Sequence, residues 1–186
     1  MKPTRVLIFS LFIILSAFGL NACNRSDGVE AAREPDARYD HHSVLTQDDK
    51  EFVLYASEMH VGEANMAKDA KQKSANKDVL AYADAVIRNH SDALKQLSGT
   101  FGNDVVSRNG SEDTQRHIEF LSSLRGAEFD RQFMDLMIAD HQDAAKTFQA
   151  YANKTSNGDL KGEILDVSPT LENLLKQARD VRAKTN

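Results

Sequence analysis

Apolar residues recur every three or four positions along most of the chain, the spacing of helices that each bury one face. In the first such stretch the stripe is Phe52, Val53, Ala56, Met59, Met66, Ala67 and Ala70. Thr46 followed by Asp49 marks its start as a capping box with Asp in the place of Glu, and the periodicity ends near Ser74. Asn76 then caps a second helix whose stripe is Val79, Leu80, Ala83, Val86, Ile87, Leu94, Leu97 and Phe101, stopped by Gly99 and Gly102. Residues 103–113 read as a loop, with Asn109-Gly110 as its turn signal. A third helical stretch starts near Glu112 or Asp113 with Ile118, Leu121 and Leu124 and is interrupted at Gly126. It resumes through Phe129, Phe133, Met134, Met137, Ile138, Ala144, Ala145, Phe148 and Ala152 and ends at Asn157-Gly158. The fourth runs from Asp159 to about Arg182, and Ser168-Pro169 inside it predicts either a kink or a break with a new start.

No single stripe is stable alone, so the four must pack on one another. Helices of roughly 25 residues span about 37 Å, the scale of a bundle. The pattern predicts an all-α four-helix bundle over 46–184, with the link between the second and third helices long enough for a crossover. Composition agrees: the chain has no Trp, three Pro and nine Gly, which favours long helices over a sheet.

Ahead of the helices the pattern changes twice. Residues 23–45 are polar and charged, hold Gly28 and Pro35 and lack any period, which predicts a flexible tether; His41 and His42 within it read as solvated linker. Residues 1–22 form a secretory leader: Lys2 and Arg5, then the uncharged run from Val6 to Leu20, then Leu20-Asn21-Ala22 before Cys23. That run is short for a membrane span of roughly 18 to 20 residues. A single cysteine excludes an intrachain disulfide. Its place beside Ala22 resembles a lipobox, in which the cysteine is acylated and anchors the chain. Each buried CH₂ then contributes about 0.8 kcal/mol, and two or more acyl chains hold firmly. Asn24, rather than Asp, follows the cysteine, which favours the outer membrane, with the domain facing the periplasm. The formal net charge is −5, and loss of Lys2 and Arg5 makes the mature chain more acidic still. Such a body lacks the basic footprint for nucleic acid, and its surface has no attraction for anionic lipid, so the membrane partner acts through Cys23.

The chemistry lies in the polar residues that fall on apolar stripes. His60 and Glu63 occupy core slots of the first helix, three apart and so neighbours on one face. His90 falls on the stripe of the second helix and His141 on that of the third. Their contexts are similar: Asn89-His90-Ser91-Asp92-Ala93 parallels Asp140-His141-Gln142-Asp143-Ala144. A buried imidazole or carboxylate without a partner costs several kcal/mol, roughly 2–7 for a neutral polar group. Two readings satisfy these residues. One is a hydrogen-bonded polar layer that fixes helix register. The other is a site for one transition metal (Zn, Cu, Fe or Mn) held by His60, Glu63, His90 and His141, with Asn89 and Asp140 supporting the ligands through hydrogen bonds. The chain has no Glu-x-x-His, and the reversed His60-x-x-Glu63 is too little to hold two irons, so di-iron chemistry is disfavoured. Met59, Met66, Met134 and Met137 read as core filler, and His117 as an exposed or boundary residue. No phosphate loop, Gly-x-Ser-x-Gly or cysteine nucleophile supports nucleotide or hydrolase chemistry.

The stretch from about Asp49 to Ala178 resembles an uncharacterised bacterial family of exported outer-membrane proteins with a ferritin-like four-helix domain. The matching residues are Phe52-Val53, Ala56, Met66-Ala67, Val79, Tyr82-Ala83, Val86 to His90, Phe129-Asp130, Phe133-Met134, His141, Pro169, Leu175 and Ala178. The resemblance implies the bundle and the envelope location, and no established activity. Against that family's pattern, His60 stands in place of Glu, Asn89 in place of Asp and Leu174 in place of His. The last change removes a ligand from the final helix and leaves any site to the first three.

The sequence thus predicts an exported lipoprotein with a helical domain that binds one metal ion without catalysis. A mononuclear metal oxidoreductase and a metal-free structural or adaptor lipoprotein are the alternatives. Cys23→Ser is expected to move the protein from the membrane to the soluble fraction; tight membrane attachment of the variant would contradict the lipid anchor.

Overall fold

The caps written in the sequence set the helix starts. Thr46 Oγ1 accepts from Asp49 N at 3.1 Å while Thr46 N donates to Asp49 Oδ2 at 3.1 Å, the reciprocal pair of a capping box. Asn76 and Asn157 accept from Asp78 N and Leu160 N, each at 2.9 Å, and Ser111 accepts from Thr114 N at 3.2 Å. The computed structural model describes residues 44–185. The expected leader over 1–22, Cys23 with its expected acylation, and the expected tether as far as residue 43, with His41 and His42, lie outside the described residues. Among the described residues there are five helices and no strand: α1 (Gln47–Lys73), α2 (Lys77–Phe101), α3 (Glu112–Ser122), α4 (Gly126–Lys154) and α5 (Gly158–Arg182). Gly102, at φ 86°, ends α2, and Gly126, at φ 58°, starts α4 in a conformation few other residues adopt. The break at Gly126 makes α3 a separate short helix. α5 runs unbroken through Pro169, so the predicted restart there does not occur; Ser168 Oγ donates instead to Ile164 O at 2.6 Å. No helix of the described residues is long and apolar enough to cross a membrane.

Side-chain pairs fix the topology. Lys71–Asp84 and His60–His90 set α2 antiparallel to α1. Lys154–Asp48 and His141–Glu63 set α4 antiparallel to α1, so α2 and α4 run the same way. α5 returns antiparallel to both, through Arg182–Asp135 on α4 and Thr100–Glu163 and Lys184–Asp78 on α2. Two parallel helices in sequence require a crossover, and residues 102–125 supply it along the flank of α1. Ser107 N donates to Ser57 Oγ at 2.8 Å near one end, and Lys73 Nζ donates to Leu121 O at 3.0 Å near the other. Two helix pairs joined by one long crossover is the connectivity of ferritin-like bundles.

The crossover lies close to α1 because glycine faces it. A Cβ on Gly62 would sit 2.4 to 2.8 Å from the side chain of Thr114, and one on Gly110 would sit 2.9 Å from Gly62 Cα. Asp49 ties the N-terminus of α1 to the C-terminus of α4: its buried carboxylate accepts from Tyr151 Oη at 2.9 Å and Thr155 Oγ1 at 2.8 Å. Burial works to raise its pKa, but the hydrogen bonds from Thr46, Thr155 and Tyr151 prevail and hold it below the usual value.

The apolar interior is in two parts. One gathers Met66, Val79, Tyr82, Val86, Leu121, Phe129, Phe133, Met134, Met137 and Leu174. The other gathers Phe52, Val53, Met59, Leu97, Phe148, Leu160, Ile164 and Leu171. Each fully buried side chain of this size stabilises by roughly 1.5–3 kcal/mol. The methionines are part of that packing. Between the two parts, along every helix that carries one, stands a buried polar residue: His60 and Glu63 on α1, His90 on α2 and His141 on α4.

Gly62→Ala is expected to lower stability. Alanine gains about 1 kcal/mol of helix propensity, but forcing the crossover outward costs about 1–3 kcal/mol. Thermal melting checks it; a variant as stable as the parent would show that the crossover yields freely.

Candidate metal centre

Helical spacing delivers the four polar groups to one level. His60 and Glu63 are one turn apart on α1, and the antiparallel partners bring His90 and His141 to the same height. All four are at most 1% exposed. Glu63 Oε2 lies 3.3 Å from His90 Nε2 and 3.2 Å from His141 Nδ1. His90 Nε2 lies 3.4 Å from His141 Nε2. Glu63, His90 and His141 each offer a donor atom within 4.8 Å of the others. His60 stands behind this group, its Nδ1 2.7 Å from His90 Nδ1. The structure therefore assembles a triad from three helices, with the fourth expected residue attached to the back of one member.

Hydrogen bonds set the rings. His141 Nδ1 is 2.8 Å from Met137 O, one turn earlier on α4. A carbonyl only accepts, so Nδ1 carries the proton and Nε2 the lone pair. When His90 Nδ1 donates to His60, His90 Nε2 is likewise left with its lone pair. Glu63 has no such arrangement. Neither of its contacts with the imidazoles has hydrogen-bond alignment, and both of its oxygens are buried without a hydrogen-bond partner among the described residues.

Charge is expelled from this layer. Burial, then the proximity of His141, brings the His60 pKa down to about 3. Burial, His60 and His141 push His90 well below its usual value. Burial brings His141 to about 4, although the Met137 carbonyl opposes that shift. Burial, reinforced by Asp140, raises Glu63 well above the ordinary carboxyl range. Across the short Glu63–imidazole distances desolvation therefore works against the charged form of both partners.

The supporting residues divide. Asn89 is half-buried and donates through Nδ2 to Ala85 O at 2.8 Å on its own helix, away from the triad. Asp140 is half-buried and faces α3, with Oδ2 3.6 Å from His117 Nδ1. His117 is the boundary residue the pattern indicates, yet its Nδ1 is buried without a geometric hydrogen bond. Tyr82, which helical spacing did not single out, is also buried near the triad. Its ring centre is 6.5 Å from that of His141, and its hydroxyl is buried without a partner. The interhelical register set by Thr100–Glu163 and Asp78–Lys184 brings α5 level with His90 close to Leu174, so this wall is apolar.

The shifts give the metal-free domain a defined pH response. Imidazoles with lowered folded-state pKa values cost stability as pH falls below about 6.5, each by roughly 1.4 kcal/mol per pH unit until its folded value is reached. Glu63 has the opposite sign: its raised value costs stability as pH rises above its unfolded value. Three imidazoles outweigh one carboxyl, so stability is expected to fall steeply from pH 6.5 toward pH 4. Denaturant titrations across that range check it; a flat profile would contradict neutral buried imidazoles.

Comparison with known proteins places this geometry in a family. The Cu(II)-bound form of CopM has a similar fold, with a TM-score of 0.60 at 19% sequence identity over 74% of this chain and 97% of that one. No curated protein matches the chain. A family model described as Domain of unknown function (DUF4142) matches residues 35–181, most of the chain. The two-paired-helix bundle with its long crossover belongs, by that match, to the DUF4142 family.

Proposed function

We propose that the protein is a lipid-anchored envelope protein, acylated at Cys23 and held at the outer membrane facing the periplasm, whose bundle binds one transition-metal ion through Glu63, His90 and His141. The observation that carries the metal reading is Glu63: a carboxyl group buried at the centre of the bundle with neither oxygen satisfied, facing imidazole nitrogens. Burying such a group without a partner is costly, and a cation is the partner that two imidazoles and a carboxylate suit.

The spacing supports this. Donors about 2.0–2.1 Å from a tetrahedral ion stand about 3.3 Å apart. His90 Nε2 is 3.3 Å from Glu63 Oε2 and 3.4 Å from His141 Nε2. His60 supplies the hydrogen bond behind a ligating histidine that fixes its tautomer and orientation. Zinc, copper, iron and manganese all accept this donor set. The fold shared with a protein solved with Cu(II) puts copper among the first ions to test.

Three protein donors leave a coordination position open. That is the one feature favouring the second reading, a mononuclear metal oxidoreductase, over a binding protein.

Titration of the untagged, metal-stripped protein is expected to show one ion bound per chain. Uptake below a tenth of an equivalent of every ion tried would end the metal reading. Burial disfavours the ionised form of Glu63, so binding is expected to be accompanied by proton release, measurable by calorimetry in buffers of different ionisation enthalpy. Glu63→Gln should abolish that proton release and weaken binding at least 100-fold with the fold retained. His60→Ala should weaken it roughly 10- to 100-fold, as loss of an orienting partner does.

A further inference from the structure

The buried triad is closed off by apolar packing along the bundle axis and by the apolar wall of α5. On the crossover side it is not. A cavity of about 200 Å³ opens between α1, α3 and α4, and Glu63 is among the residues that line it, with Tyr55, Asp113, His117, Asp140 and Asp143. Glu63 is 1% exposed and both its oxygens lack a hydrogen-bond partner. His117 Nδ1, contributed by α3, is a second buried polar atom at the same cavity without a geometric hydrogen bond; it is paired at 3.6 Å with Asp140 Oδ2. Asp113 and Asp143 stand at the solvent edge, each paired with an exposed cation, Arg116 and Lys146 respectively.

We infer that this cavity is the loading route for the divalent cation of the Glu63–His90–His141 site, with Asp140 and His117 as the station where the ion first sheds water. The inference rests on the metal-binding reading. A hydrated cation cannot cross the two apolar half-cores, whereas here carboxylates and an imidazole continue from solvent to the buried carboxyl. Acidic groups lining a low-dielectric cleft raise the local cation concentration and the association rate. Asp140 and Glu63 can replace water ligands one at a time, so the ion is never stripped before the imidazoles receive it. Gly62, beside Glu63, lets the crossover approach closely enough for α3 to bring His117 to this cavity.

Stopped-flow mixing of the metal-free full chain with Co²⁺, followed by the visible absorption of the bound ion, tests the route. Asp140→Asn and His117→Ala should each slow association at least tenfold, and Asp140→Asn should also flatten its dependence on ionic strength. Release to a chelator should slow as well, since a route serves both directions. Glu172→Gln, exposed on α5, should load at the parent rate. Circular dichroism confirms the fold of each variant, and His117→Ala, near the surface, stands in if Asp140→Asn does not fold. Association at the parent rate in the folded variants, with any loss of affinity carried by faster release, would overturn the route and leave the metal site intact. Failure of the parent chain itself to take up Co²⁺ or Cu²⁺ would overturn both.

Discussion

A carboxyl group sealed inside a helical bundle without a hydrogen bond is the constraint around which this domain is arranged. Glu63 cannot ionise there without an opposite charge, and as a neutral acid it still leaves its oxygens unsatisfied. The three imidazoles beside it are subject to the same desolvation and are held neutral. The layer is therefore a set of good donors whose charged forms burial disfavours, set between two apolar half-cores. Such a layer weakens the fold relative to leucines in the same places.

The helices were legible because burial is periodic. The stripes, the capping box at Thr46 and Asp49, the cap at Asn76, and the break at Gly126 all follow from local chemistry and occur where the pattern places them. The inward positions of His60, Glu63, His90 and His141 were legible for the same reason. What the pattern could not divide was their labour. Spacing puts His60 and Glu63 on one face, but which of them meets the other helices' rings depends on interhelical register. Only the assembled bundle shows His60 behind His90 and Glu63 in front of it. Asn89 and Asp140 occupy parallel places in the repeated pentapeptide, yet Asn89 bonds its own helix and Asp140 turns toward α3. Gly62 carries a signal in retrospect: a glycine inside a long helix costs about 1 kcal/mol, and the close crossover is its reason. Asp49 was recognisable as a cap, but its bonds to Tyr151 and Thr155 join residues more than a hundred positions apart, beyond any local rule. Pro169 shows the reverse case, a strong local breaker overridden by packing along both halves of α5.

The crossover has two duties. It connects two helices that run in the same direction, and its short helix forms a wall of the cavity beside the polar layer. A direct hairpin between α2 and α4 would have left neither the topology nor the cavity. The longest link between helices among the described residues thus forms a wall of the cavity that leads from solvent to the buried layer, as binding sites on loops braced by rigid helices generally do.

The apolar wall at α5 bears on how this domain can change over generations. Three helices carry every donor, and the fourth presents Leu171 and Leu174 at their height. Exchange of Leu174 for an imidazole would add a fourth donor from a helix already fixed in register; were the layer to hold an ion as proposed, that ion would pass from open to enclosed. A lineage built on this scaffold therefore stands one residue away from trading reactivity for retention, without altering its framework.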